Sequence, residues 1–483
     1  MTDRPQNLTL TEVILPPEHL KIASRNPENH PVSVIQRIAA QPYLDPASTT
    51  TSRRRPAFIC GPMVRYSKLP FREIVRHHNA DIVYTPMILA REFVRHPFAR
   101  DSDFSTNAAD APVIAQFGAN NPKDLVRAVQ LIRPYVDGIG LNCGCPIKDQ
   151  VREGIGAALM TKPDLVAEMV AAVKAEFGPG FCVEVKIRIH KDLKDTVAMA
   201  CKAEAAGADF ITVHGRQKTT RSSQPADFEA IKLVKQSVSV PVVANGDAFS
   251  VEDALYIADV TGCDGVMAVR GILANPAMFD LASYKRRTLW YQQPQNKDLR
   301  KPARRLSQSN ITKFPFGRHT NDPQGSQTQL SQKQLVLNAV IPTESQLLVD
   351  GLPVLSTDLK NVTPWATVER FWDLVTAYGL PFRVAQHHFS EMLEGSVTKR
   401  QKKIMNDTHN MAELLAWFDS RLDLRRPKEP GFGEHREFPW REEFLERESQ
   451  EIIEEEGKEE EEEKAEKKKI TELAEDLEKL AVA

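Results

Sequence analysis

The sequence contains little cysteine, only 6 of its 483 residues, and no pair of CxxC motifs with the spacing of a metal site. A chain this long with so few cysteines is not a disulfide scaffold, so we expect free thiols in a reducing compartment and no metal. Any run of about 18 apolar residues is also missing, so no membrane span is expected. Because Asp3, Glu12 and Glu18 interrupt the first residues, we expect no secretory or transit peptide and a cytoplasmic location, with nuclear entry left open.

An excess of charge of either sign is absent as well, since 63 Lys and Arg residues face 65 Asp and Glu residues. The balance hides a segregation, because basic residues prevail between Tyr284 and Arg318 while Glu dominates the tail from Glu442. The net charge of −2 therefore does not exclude nucleic acid as a partner.

Apolar residues are unevenly distributed and divide the chain into five parts. Residues 56–282 are dense in Val, Ile, Ala and Gly and predict one large domain, and residues 363–426 show helical spacing that predicts a small helical bundle. We expect disorder in 1–55, 283–362 and 427–483, which are rich in Pro, Gln, Ser or charge. We expect the protein to be a monomer.

The large domain alternates short strand-like runs with stretches of helical periodicity, which predicts parallel strands joined by crossover helices. Eight such runs favour a (β/α)8 TIM barrel; an open doubly wound sheet, the alternative, more often shows five or six and a Gly-rich first turn. The runs are 57–63, 81–87, 112–118, 138–144, 182–189, 210–216, 241–247 and 265–271.

Polar residues recur where these runs end, which in such barrels is where the active site lies. Lys186 and Arg188 alternate with apolar residues, so both side chains point to the same side of the strand. Inside a barrel, two cations are costly unless an anion or an electron-rich ligand meets them; the alternative is that both face outward as snorkelling surface side chains. The glycine-containing turns at 245–247 and 269–271, the second with Arg270, favour a phosphorylated cofactor. His214 is either a ligand contact or a satisfied core histidine.

The segment Leu141–Pro146 places two thiols on a tight turn after an apolar run. Cys145 is the candidate for chemistry, either as a thiolate near cations or as a proton donor, although an inert thiol is the alternative. Cys143 shares the turn but should point elsewhere, because Gly144 separates the two residues.

These residues together resemble the tRNA-dihydrouridine synthases, and most of all the eukaryotic class that acts on D-loop uridines 20a and 20b. The resemblance implies an FMN enzyme that reduces the C5=C6 bond of uridine in tRNA, with NADPH or NADH as reductant. The motifs run in order along the chain as Pro62-Met63, Gln116, Leu141-Asn142-x-Gly-Cys145-Pro146, Lys186-x-Arg188, His214-Gly-Arg216, Asn245-Gly-Asp247 and Arg270-Gly271.

The resemblance also implies residue roles. Cys145 would protonate C5 of the base after hydride transfer from flavin N5 to C6. The implied cofactor contacts are Pro62, Met63, Val64, Gln116, Lys186, His214, Asn245, Gly246, Asp247, Val269 and Arg270, where Val269 departs from the glycine usual in the family. The implied substrate contacts are Asn142, Arg188 and Arg216 in the barrel and Arg383, Lys399 and Arg400 in the helical, tRNA-binding domain.

Residues 283–362 depart from the family, in which the barrel runs almost directly into the helical domain. They carry Arg286, Arg287, Arg300, Lys301, Arg304 and Arg305, and form either an arm that adds RNA affinity or translated noncoding sequence. Two other functions stay open at this point: reduction of a free pyrimidine by a flavin barrel, and a non-catalytic tRNA-binding barrel.

Overall fold

A computed structural model describes residues 27–44, 52–293, 296, 348–349 and 351–448. Its centre is a closed barrel of eight parallel strands, as predicted. Each strand pairs with the next in sequence, and β8 pairs with β1 to close the ring. The strands are β1 (Ala57–Cys60), β2 (Ile82–Tyr84), β3 (Val113–Gly118), β4 (Gly138–Asn142), β5 (Cys182–Arg188), β6 (Phe210–His214), β7 (Val242–Asn245) and β8 (Gly265–Ala268).

Helices follow the strands and cover the barrel. Several begin at a side-chain N-cap, as at Asn121, Asp227 and Ser250, where the side-chain oxygen accepts hydrogen bonds from backbone N–H groups of the first turn. The helices are α1 (Leu69–His77), α2 (Ala90–Arg95), α3 (Pro122–Ile132), α4 (Pro163–Phe177), α5 (Leu193–Ala205), α6 (Phe228–Ser237), α7 (Val251–Thr261) and α8 (Leu281–Gln292).

A helix over Pro31–Ala40 lies in the segment for which disorder was expected. Its apolar residues Val34, Ile35 and Ile38 are spaced for one helix face, and they pack into a cluster with inward residues of the barrel strands. The short strands Pro42–Leu44 and Ser52–Arg54 then pair and lead into β1.

The predicted helical bundle is present and packs beside the barrel. It consists of α9 (Trp365–Ala377), α10 (Phe382–Met392), α11 (Lys399–Asn406) and α12 (Met411–Arg421). Helix α9 contacts α1, and α10 contacts the short helix Arg270–Ala274 that follows β8. The bundle is thereby joined to the edge of the barrel where the strands end.

The predicted boundary at residue 283 falls inside α8. Arg286 and Arg287 of this helix are buried in ion pairs with Asp358 and Glu252, so they serve the packing of the protein rather than an RNA-binding arm. The remaining basic residues of that predicted arm, Arg300, Lys301, Arg304 and Arg305, lie outside the described residues. None of the helices in the described ranges is long and apolar enough to cross a membrane.

Candidate active site

The ends of the barrel strands surround a cavity of about 310 Å³. Most of the predicted site residues line this cavity, because they lie where the apolar strands end. Those that line it are Pro62, Val64, Gln116, Asn142, Cys145, Lys186, Arg188, His214, Arg216, Asn245, Gly246, Asp247, Val269 and Arg270.

Asn142, the last residue of β4, organises the turn that carries the thiols. Its side-chain Nδ2 donates to Oε1 of Gln116 at 2.8 Å, which fixes the orientation of both amides. Its Oδ1 accepts hydrogen bonds from the backbone N–H groups of Gly144 at 3.0 Å and Cys145 at 2.9 Å. The side chain of Asn142 therefore holds the turn on which Cys145 stands.

The two cysteines of this turn face different surroundings. Cys145 is half-buried and lines the cavity. Cys143 is fully buried in the apolar core, where burial raises the pKa of its thiol far above the ordinary value. Arg188 lies beside the turn, because its Nε donates to the carbonyl of Gly144 at 2.7 Å. Of the two thiols, Cys145 is the one that a bound molecule could reach.

Lys186 points into the cavity from β5 and donates to Oδ1 of Asn245 on β7 at 2.9 Å. Burial and the nearby Arg188 together lower the pKa of its ammonium to about 8, against the opposing effect of Glu184. Nδ2 of Asn245 in turn donates to the carbonyl of Met267 at 2.9 Å. Hydrogen bonds thus connect the ends of three strands beneath the cavity.

His214 is neutral in this setting. Burial places the pKa of its imidazole well below the ordinary value, and the surrounding cations Lys186, Arg188, Arg216 and Arg270 act in the same direction. Its Nδ1 accepts the backbone N–H of Arg216 at 3.1 Å, which places the proton of the neutral ring on Nε2. His214 is therefore a neutral hydrogen-bond donor at the end of β6.

Asp247 joins two of the arginines. It accepts hydrogen bonds from Arg216 Nη2 at 2.5 and 2.6 Å, from Arg270 Nη2 at 3.0 Å and from the backbone N–H of Ala226 at 2.8 Å. The Arg216 side chain is 3% exposed and that of Arg270 is 43% exposed. Arg270 consequently presents its guanidinium to the cavity, whereas Arg216 is held mainly by Asp247.

Other predicted residues lie elsewhere. Met63 does not line the cavity. Its backbone N–H donates to Ser67 Oγ at 3.0 Å in a tight turn, and this turn directs the Met63 side chain into the core. Arg383, Lys399 and Arg400 are exposed on α10 and α11, outside the cavity. The structure therefore brings the barrel residues together and separates them from the basic residues of the bundle.

Comparison with known proteins agrees with this geometry. Residues 59–309 match the dihydrouridine synthase (Dus) family. The chain is 41% identical over 407 residues to tRNA-dihydrouridine(20a/20b) synthase of Saccharomyces cerevisiae, covering 83% of this chain and 89% of the yeast protein. The chain belongs to the dihydrouridine synthase family.

Two further relatives support that assignment. The Schizosaccharomyces pombe enzyme of the same name is 40% identical over 381 residues, covering 79% of this chain and 92% of that protein. A Homo sapiens protein named tRNA-dihydrouridine(20a/20b) synthase-like is 51% identical over 222 residues, covering 46% of this chain and 70% of that protein.

Met87 and Phe249 are among the residues that line this synthase's cavity and were not predicted from the sequence. Met87 ends the second strand-like run, and its Sδ accepts from Asn142 Nδ2 at 3.2 Å. The signal was present, because Pro86-Met87 repeats the Pro62-Met63 pattern after the first run. Phe249 lies against the guanidinium of Arg270, 5.3 Å from the ring centroid, and no pattern in the sequence marked it.

A larger groove, of about 1350 Å³, lies on the outer side of the barrel beside α5. It is lined by surface residues such as Lys191, Lys194 and Lys218, and none of the predicted site residues lines it. Convergent buried polar groups mark a site better than volume does, so we assign the chemistry of the synthase to the smaller cavity.

The cavity residues fit a flavin with a phosphate arm. Nε2 of Gln116 is buried and has no hydrogen-bond partner among the described residues, so a donor is left for a ligand with an acceptor edge. At Gly271 a Cβ would lie 2.3 Å from the carbonyl of Ala248, and at Gly246, with φ of 132°, it would meet Ala226 at 2.7 Å. Both turns therefore require glycine at these positions in order to pack closely beside Arg270.

The part of the chain that the structure describes has no group of three or more potential metal ligands.

Proposed function

We propose that this synthase reduces uridines 20a and 20b in the D-loop of tRNA to dihydrouridine, with FMN as cofactor and NADPH or NADH as reductant. The observation that carries the proposal is one cavity that joins a reachable thiol, Cys145, to the half-buried Lys186 and to the Gln116 amide donor, which has no partner among the described residues. The 20a/20b assignment follows the names of the yeast relatives, which the chain matches over most of its length.

Three side-chain donors would hold the ring of the cofactor, and a second set of residues would hold its phosphate. Gln116 Nε2 and Lys186 Nζ are donors for the polar edge of a flavin ring, and neutral His214 adds a third donor beside them. Arg270 and the turns of Gly246 and Gly271 would hold the phosphate arm. When bound, FMN supplies the hydride, from N5 to C6 of the uracil.

Cys145 would complete the reduction by giving the proton of its Sγ to C5 of the base, so that hydride and proton together saturate the C5=C6 bond. A base that enters the cavity would meet the thiol, because Cys145 lines the cavity on the turn after β4. Asn142 positions this thiol through the backbone N–H of Cys145. The target nucleotide must leave its stack to enter a cavity of this kind.

The helical domain would hold the rest of the tRNA. Arg383, Lys399 and Arg400 are exposed on the bundle, whose helix α10 contacts the short helix after β8, and their charges fit a phosphate backbone. Their exposure argues against a free pyrimidine as the substrate, because a small molecule that fills the cavity would leave these residues without a role.

The test combines the cofactor with the product. Purified protein should be yellow and release FMN on denaturation, and tRNA from cells that lack the gene should lose dihydrouridine at positions 20a and 20b and regain it on complementation. Colourless protein that still binds tRNA would favour the non-catalytic reading. Yellow protein, together with unchanged tRNA modification in cells that lack the gene, would favour a free pyrimidine as the substrate.

The two thiols provide a matched pair of variants for the proton transfer. Cys145→Ala should bind FMN and tRNA normally and lose 10²- to 10⁴-fold in the rate of dihydrouridine formation, the usual contribution of a general acid. Cys143→Ala should retain the rate and lose about 1 kcal/mol of stability, because its thiol only fills the core. Equal loss of rate in both variants would show that Cys145 is not the acid.

A further inference from the structure

Glu184 lies one inward-facing position below Lys186 on β5. Alternate residues of a strand point to the same side, so Glu184, Lys186 and Arg188 form a column of charges directed into the barrel, with about 7 Å along the strand between successive members. Lys186 and Arg188 reach the cavity, whereas Glu184 is fully buried beneath it. The roles proposed above for the cavity residues leave this carboxyl unused.

The barrel has space reserved for this side chain. Gly140, its partner in the register of β4 and β5, carries no side chain, and a Cβ there would lie 2.3 Å from Oε2 of Glu184. The same Cβ would lie 3.3 Å from the ring of Tyr84. The glycine on β4 therefore allows the Glu184 carboxyl to occupy the interior of the barrel.

The carboxyl is poorly compensated by hydrogen bonds. Within the described ranges, neither of its oxygens makes a hydrogen bond of ordinary geometry; the hydroxyls of Tyr84 and Thr212 lie beside the carboxyl, and they make none either. A buried carboxyl in this state costs stability, and an apolar side chain of the same volume would pack there without that cost. Packing alone thus gives no reason for glutamate at this position.

Electrostatics gives a reason. Burial raises the pKa of Glu184 to about 7, and the hydroxyl of Thr212 and the ammonium of Lys186 act in the opposite direction. Glu184 in turn favours the charged form of Lys186, against burial and Arg188, which oppose it. The positively charged residues around the cavity are Lys186, Arg188, Arg216 and Arg270, and against them Asp247 provides one negative charge.

We infer that Glu184 is a positioning residue that acts through Lys186, as the counter-charge that keeps the lysine charged beside the flavin. The inference rests on the proposed FMN function. A positive charge at the polar edge of the ring favours the reduced flavin, which carries more negative charge than the oxidised flavin. Glu184 would thereby hold the reduction potential high enough for the oxidised flavin to accept electrons from NADPH or NADH.

The test is the reduction potential of bound FMN, measured by anaerobic titration against a reference dye. Glu184→Gln removes the charge and keeps the shape. We expect at least a tenfold smaller equilibrium constant for two-electron reduction than in wild type, equivalent to about 30 mV, because Lys186 loses part of its charge. Reduction of the bound FMN by NADPH should slow correspondingly. Ile59→Val, which removes one methyl group from the barrel core around Tyr84, should leave the potential unchanged.

Each outcome decides the question. A wild-type potential in Glu184→Gln overturns the inference while the proposed function stands, and so does an equal shift in Ile59→Val, which would indicate general disturbance of the core. If the wild-type protein binds no FMN at all, both the inference and the proposed function are refuted. If Glu184→Gln does not fold, Glu184→Met supplies a second neutral side chain of similar volume, with the same shift expected.

Discussion

The ammonium of Lys186 and the Oδ1 of Asn245 are 2.9 Å apart and join the end of β5 to the end of β7. The second side of the Asn245 amide is engaged as well, because Nδ2 donates to the carbonyl of Met267 on β8. The amide cannot rotate without losing both hydrogen bonds. Lys186 therefore has a fixed position below the cavity before any ligand binds.

Lys186→Met should weaken FMN binding by at least tenfold. A hydrogen bond that involves a charged group contributes about 1.5–3 kcal/mol, and the variant also leaves Asn245 Oδ1 without its donor. Fluorescence titration of the apoprotein with FMN measures the change. Lys191→Met, which removes an exposed lysine from the neighbouring groove, is the control and should bind FMN as wild type does. Equal affinity in both variants would remove Lys186 from the binding site.

Much of this fold and cavity is predictable from sequence, because the period-two strands and the polar residues at their ends are local patterns. The side-chain directions of Met63 and Met87 are not local. Both follow a proline after an apolar run, yet the turn closed by Ser67 directs Met63 into the core, while Met87 faces the cavity. Met63 was predicted to contact the cofactor and lies in the core, whereas Met87, for which no contact was predicted, lines the cavity.

Long-range partners explain the other difference. Arg286 and Arg287 appeared as part of a basic segment, but their carboxylate partners Asp358 and Glu252 are 72 and 35 residues away in sequence. Composition averaged over a segment cannot show such pairing. The same averaging concealed the helix Pro31–Ala40, whose three apolar residues find their partners only inside the barrel.

Asp247→Asn should lower the free energy of unfolding by about 3–5 kcal/mol, because it leaves the buried guanidinium of Arg216 without its charge partner. Asp164→Asn provides the control. Its carboxylate pairs with Lys202 on the surface, where such a pair contributes about 0–1 kcal/mol. Urea unfolding of both variants without added cofactor gives the two values. A loss of similar size in the two variants would contradict the structural role of Asp247.

Asp358 should make the protein sensitive to acid. Burial tends to raise the pKa of its carboxyl, but hydrogen bonds from His435, Arg286 and Ser283 outweigh burial and hold it well below the usual range. A carboxyl whose pKa is lower in the folded state stabilises the protein above its unfolded pKa, about 3.9, and this stabilisation is lost as the pH falls toward the folded value.

The variant Asp358→Asn tests this directly. At pH 6 it should be about 3 kcal/mol less stable than wild type, because Arg286 remains buried without its partner. The difference should shrink as the pH falls from 4 toward 2, since the Asp358 carboxyl of the unfolded wild-type chain then takes up a proton while that of the folded protein does not. Urea unfolding at pH 6 and pH 3 measures it. A difference that is the same at both pH values would show that the charge of Asp358 contributes nothing.

We expect the exposed basic residues of the bundle to contribute to the salt dependence of tRNA binding. If Arg383, Lys399 and Arg400 each neutralise one phosphate, the triple alanine variant should reduce the slope of log affinity against log salt by about 2–3, since each contact contributes roughly 0.7–0.9. Lys402→Ala is the matched control on the helix of Lys399 and Arg400, because the Lys402 side chain is only 25% exposed. Filter binding of tRNA over a range of salt concentrations gives both slopes. A triple variant with the wild-type slope would place the tRNA elsewhere on the protein, and the outer groove beside α5, with Lys191 and Lys194, would be the next surface to test.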